Sequence, residues 1–95
     1  MPRPKLCKNI NSNPNTTFYK PRAVPLHSLE IIELDLEEWE TLRLKHQEKL
    51  NQTDAAEKMH TSQSTFQRIL ASAQEKISLA IVQGKAIKIN KNLDK

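Results

Sequence analysis

All five prolines of this 95-residue chain, at positions 2, 4, 14, 21 and 25, fall within its first 25 residues. Proline fixes φ and lacks a backbone donor, so no long helix forms there. That segment reads as an extended arm, with a short edge strand near Phe18 and Tyr19. Beyond residue 25 nothing of this kind interrupts a helix. Turns there must be made almost without glycine, because the chain has only Gly84. The stretch "AAEKMHTSQSTFQRIL", residues 55 to 70, reads as two helices meeting at a corner, and the corner falls on His60.

The elements follow from local signals. "EIIELD", residues 30 to 35, is short and β-branched, which suits a strand. Asp35-Leu36-Glu37-Glu38 has the form of a capping box opening a helix. Leu36, Trp39, Leu42 and His46 continue it at helical spacing, to about Lys49. On that helix Glu40 and Arg43 are expected to pair at the surface, which contributes only a few tenths of a kcal/mol. Asn51 caps a second, short helix. Ser62 caps a third, with Thr65 bonding back to it. The stripe Phe66, Ile69, Leu70, Ala73, Ile77, Ala80 and Ile81 carries this helix from Gln63 to Gln83, roughly 30 Å. Gly84 is expected to end it as a left-handed cap. "AIKI", 86 to 89, alternates and is placed as a strand beside residues 30–34.

Several function classes are excluded or disfavoured. Hydrophobic residues make up 37% and charged residues 27%, which suits a globular domain with one modest core. No apolar run approaches the roughly 20 residues of a membrane span. The basic N-terminus has no apolar stretch behind it, so it is not read as a secretory signal. Cys7 is alone and permits no intrachain disulfide. A cytoplasmic setting fits. His27, His46, His60 and Cys7 are too scattered for a structural zinc site, so no metal is expected. No nucleophile set, phosphate loop or acid/base pair is visible, so neither an enzyme nor a cofactor is expected. Glu37, Glu38 and Glu40 read as a solvated helix start, and Trp39 as core.

Charge is unevenly laid out. Residues 1–25 carry Arg3, Lys5, Lys8, Lys20 and Arg22 and no acid, residues 26–50 have a net charge of −4, and residues 51–95 a net charge of +3. Two basic segments flanking an acidic one suit a polyanion approached from particular sides. The corner sharpens this. Two helices crossing at about 90–120° over a short turn need a small residue at the crossing and apolar residues around it. Ala56, Met59, Phe66 and Ile69 stand at those intervals. The complementary face of the third helix reads Gln63, Ser64, Gln67 and Arg68, with no acid. Glutamine reads adenine and arginine reads guanine in a major groove. Any small helical bundle also presents a polar outer face, and spacing alone does not separate the two.

The chain resembles domain-of-unknown-function family 134, small prokaryotic proteins predicted to bind DNA through a helix-turn-helix like that of sigma factor region four. The resemblance rests on Arg3-Pro4, "FYKP" at 18–21, "LDLEEWETLRL" at 34–44, "AAEKM", "SQSTFQRIL" and "GKAIKI" at 84–89, in that order. It implies that Gln63, Ser64, Gln67 and Arg68 are base readers on a recognition helix. It implies phosphate contacts at Gln52, Ser62 and Thr65, and the basic arm offers Arg3, Lys5 and Lys8 for phosphate or a minor groove. The family's pattern puts glycine at the positions of Ala23, Lys49 and His60, and arginine is common where this chain has Gln63.

The expected architecture is mainly α: a three-helix, helix-turn-helix domain over residues 26–90. An extended arm over 1–25 precedes it, a frayed tail over 91–95 follows, and a small accessory β-sheet is allowed. The expected function is sequence-specific binding of double-stranded DNA, as a transcriptional regulator and a homodimer. The alternative is a protein-interaction module that contacts RNA polymerase or another regulator without reading DNA.

Overall fold

The computed structural model describes Pro14 and residues 17–90. Arg3, Lys5, Lys8 and the tail 91–95 lie outside the described residues. The architecture is mainly helical, with three helices and a small three-stranded sheet. In chain order the elements are β1 (Phe18–Tyr19), β2 (Ile31–Asp35), α1 (Leu36–Leu42), α2 (Gln52–Lys58), α3 (Gln63–Gln83) and β3 (Ala86–Asn90). A single 3₁₀ turn, Leu26–Ser28, links β1 to β2.

The sheet is ordered β1-β3-β2. β3 runs parallel to β2, with Leu34 opposite Ile89, and antiparallel to β1, with Tyr19 opposite Ile87. The alternation of "AIKI" therefore does mark a strand, and its partner is the segment expected. The described end of the proline-rich segment is tied into this sheet, for Ile89 N–H donates to the Thr17 carbonyl at 2.8 Å and Pro14 is buried.

Helix boundaries follow their caps. The Glu38 carboxylate accepts from the Asp35 N–H at 2.9 Å, one half of a capping box at the start of α1. Asn51 accepts from the Asp54 N–H at 2.8 Å, and Ser62 accepts from the Thr65 N–H at 3.1 Å. Gly84 ends α3 with φ 69° and ψ 38°. The start, stop and cap residues expected for α3 are all found.

The inward face of α1 differs from the expected one. Burial follows Leu36, Glu40, Thr41 and Leu44, while Trp39 and Leu42 are half-buried and His46 is exposed. A carboxylate thus occupies the middle of the inward stripe, which is why an apolar pattern does not find it. Glu40 is 0% exposed, and Arg43 grips it with two hydrogen bonds, Nε to Oε1 at 3.0 Å and Nη2 to Oε2 at 2.8 Å. A surface ion pair was expected here; the pair is internal, and a buried carboxylate needs such a partner. Glu38, also expected in solvent, is 6% exposed.

After Leu42 the helix widens into a π turn, Arg43–Gln47. Glu48 N–H donates to the Arg43 carbonyl at 2.9 Å, and Leu50 N–H reaches back to the Leu44 carbonyl at 3.1 Å. The widened turn keeps Leu44 in the core and lets the chain leave toward α2 through Lys49, whose φ is 59°. Such turns are rare and depend on context, so the regular helix expected to Lys49 stops being α-helical at Leu42.

Two apolar clusters hold these elements together. One contains Leu44, Ala55, Ala56, Met59, Phe66 and Leu70 and joins the π turn, α2 and α3. The other, Leu34, Ala73 and Ile89, joins α3 to the sheet. Leu42 packs against both. Phe66 is fully buried, and a side chain of that size stabilises by about 1.5–3 kcal/mol on burial.

Candidate nucleic-acid interface

The corner between α2 and α3 is closed by backbone bonds alone. Thr61 N–H donates to the Ala56 carbonyl at 3.0 Å, and His60 N–H to the Glu57 carbonyl at 3.0 Å. This double closure is a Schellman motif, which requires a left-handed residue just past the helix end. His60 fills that place with φ 56°. Among the described residues the non-glycine positions with positive φ are Ala23, Lys49 and His60. These are the three positions where the resemblance expected glycine. Inside the corner Ala56, Met59 and Phe66 are buried and Ile69 is half-buried, as the spacing anticipated.

The opposite side is open. Gln63, Ser64, Gln67 and Arg68 are all exposed, on the first two turns of α3. The two helix starts are held together there by the Gln52 amide, which donates to the Gln63 carbonyl at 3.4 Å. Ser62 Oγ accepts from the Thr65 N–H and donates to Thr65 Oγ1 at 2.9 Å. Its one hydrogen is then committed, so Ser64 Oγ, 3.3 Å away, serves as the donor to Ser62. The structure therefore gathers Gln52, Gln63, Ser62, Ser64, Thr65, Gln67 and Arg68 at one end of α3. Arg3, Lys5 and Lys8 fall outside the described residues.

One electrostatic feature was not anticipated. Arg68 shares a cleft of about 460 Å³ with Asp35, Glu37, Glu38, Thr65, Ile69 and Ser72. The acidic start of α1 thus lies beside the acid-free face of α3. Within the cleft Glu38 is already engaged. Its Oε1 accepts from Lys76 Nζ at 2.9 Å, and its Oε2 accepts from Ser72 Oγ at 2.6 Å. Burial pushes the Glu38 carboxyl up. The hydrogen bonds from Lys76, Ser72 and the Asp35 N–H, with the Lys76 charge, outweigh that and hold it below the usual carboxylate range. Lys76 also donates to the Glu33 carbonyl at 3.0 Å, tying α3 to β2. Sequence spacing carries no sign of this network, since its members are 34 and more residues apart.

Among the described residues no group of three His, Cys, Asp or Glu side chains is placed to hold a metal. No described helix is long and apolar enough to cross a membrane.

The family model described as "Protein of unknown function DUF134" matches residues 1–92. The chain belongs to this family. A UPF0251 protein of Moorella thermoacetica is 48% identical over 89 residues, which cover 94% of this chain and 60% of that protein. A UPF0251 protein of Thermoanaerobacter pseudethanolicus is 46% identical over 89 residues, covering 94% and 75%. One from Desulforudis audaxviator is 46% identical over 89 residues, covering 94% and 58%. The chain thus spans about three fifths of the Moorella and Desulforudis DUF134 relatives. No solved structure matches it.

Proposed function

We propose that this DUF134 protein binds double-stranded DNA in a sequence-specific manner through a helix-turn-helix formed by α2, the His60 corner and α3, like that of sigma factor region four. α3 is the recognition helix. Gln63, Ser64, Gln67 and Arg68 read base edges, and Gln52, Ser62 and Thr65 meet phosphates at the helix starts. The arm residues Arg3, Lys5 and Lys8 add phosphate or minor-groove contacts. The protein acts in the cytoplasm as a homodimeric transcriptional regulator and has no catalytic role. The observation that carries this reading is the corner. A Schellman closure at His60 joins α2 to α3, and the outer face of the first two turns of α3, Gln63, Ser64, Gln67 and Arg68, is exposed and free of acids.

A second reading is favoured by the acidic residues beside Arg68. In it, the same surface contacts RNA polymerase or another regulator and reads no DNA. Duplex binding followed by fluorescence anisotropy across a salt series separates the two. DNA binding gives a log–log slope of about −0.9 per phosphate neutralised. Absence of duplex binding at low salt, or a flat slope, favours the protein-contact reading.

A further inference from the structure

An open groove of about 500 Å³ runs between the π turn, the second half of α3 and the sheet. Its walls include Tyr19, Trp39, Leu42, Ile77, Ile81 and Ile87. The apolar surface is not closed over: Ile81 is 74% exposed and Tyr19 53%. The groove continues into a smaller one that shares Tyr19, Ile81 and Ile87 and adds Lys20, Pro21 and Lys85.

We infer that this groove is the seat of a second copy of the chain, the two packed about a two-fold axis so that Ile81 of each lies against the other's groove. The charges around it carry the choice of occupant. A surface that meets itself brings its charges close to their own copies, so any charge there must already be neutralised or turned aside. Arg43 is held by Glu40 at 2.8 Å and by Glu48 at 3.0 Å. Lys85 is held by Glu30 at 2.8 Å. The Lys20 ammonium is turned onto the Val24 carbonyl at 2.7 Å and the Pro21 carbonyl at 3.2 Å. His46 shares a hydrogen bond with Gln74 at 3.1 Å. An apolar floor on which Arg43 and Lys85 are paired with acids and the Lys20 ammonium is turned onto backbone carbonyls suits an identical partner better than a polyanion or an acidic peptide.

The contact itself does not depend on DNA, but its use rests on the function proposed above. Ile81 follows Gln67 by fourteen residues, about 21 Å along α3. Two copies joined at Ile81 therefore hold their reading ends up to about 42 Å apart when the helices are collinear, and closer as they cross. Half-sites one turn of DNA apart need about 34 Å.

Sedimentation equilibrium without DNA tests the inference. The wild-type chain is expected to dimerise with rising concentration. Ile81→Glu, with an unchanged far-ultraviolet spectrum and an unchanged melting temperature at concentrations where both chains are monomeric, should raise the dimer dissociation constant at least about tenfold. Val82→Glu is the control. Val82 is 82% exposed and about 100° further round the helix than Ile81, and its substitution should leave the constant unchanged. A wild-type chain that stays monomeric to its solubility limit overturns the inference, and so does a dimer broken by Val82→Glu but not by Ile81→Glu. A dimer that ignores duplex DNA leaves this contact standing and sinks the DNA reading; a monomer that binds duplex does the reverse.

Discussion

His60 shows how little a helix corner asks of its side chain. The bonds that close the turn come from backbone N–H groups of His60 and Thr61, so any residue that accepts φ 56° completes it. An L-residue held left-handed costs on the order of 1 kcal/mol, and histidine is among the types that tolerate it. Glycine removes that strain but adds freedom to the unfolded chain. His60→Gly should therefore stabilise the fold by about 0.5–1 kcal/mol, read as a higher urea midpoint, with duplex preference unchanged. A lower midpoint would mean that the imidazole contributes something the backbone account omits. The spacing of Ala56, Met59 and Phe66 made this corner legible without its glycine. The ring of acids beside Arg68 was not legible, because α1 and α3 are brought together by packing.

At the scale of elements, α1 is anchored by Glu38. Its carboxylate joins the Asp35 N–H at the start of α1 to Ser72 and Lys76 on α3. Its pKa is lowered in the fold, so it contributes stability that is present above the ordinary glutamate pKa and lost as pH falls through the folded value. Glu38→Gln should cost about 1–3 kcal/mol near neutral pH, and the difference from wild type should shrink toward zero in acid. Urea unfolding near pH 7 and below pH 4 measures both; a difference constant with pH would assign the loss to shape alone. The ends of α3 were readable because Ser62 and Gly84 act within one turn. The π turn was not, since it depends on the Leu50 N–H reaching the Leu44 carbonyl, and the spacing of Glu40 and Arg43 showed their pairing but not its burial, which packing sets.

For the whole molecule, the acidic middle segment takes on a different meaning. Glu30, Glu38, Glu40 and Glu48 are bound to Lys85, Lys76 and Arg43, so those acids serve the fold and do not repel a polyanion as free charges would. The N-terminal excess of five bases has no acid of its own segment to offset it. Deleting residues 2–8 should weaken duplex binding and make the salt slope shallower by about 0.9 for each of Arg3, Lys5 and Lys8 that meets phosphate. The melting temperature should hold. A drop in it would show that these residues pack on the domain.

The order of the sheet has a consequence for how the protein is made. β1 and β2 do not pair with each other; each pairs with β3, which lies between them. β3 is synthesised after every other element described. On the ribosome, at roughly 5–20 residues per second, β1, β2 and the three helices are all made before β3, so β1 and β2 wait as unsatisfied edges. The sheet then closes in one late event, and an arrested nascent chain ending before Ala86 would display two open strands to any chaperone within reach.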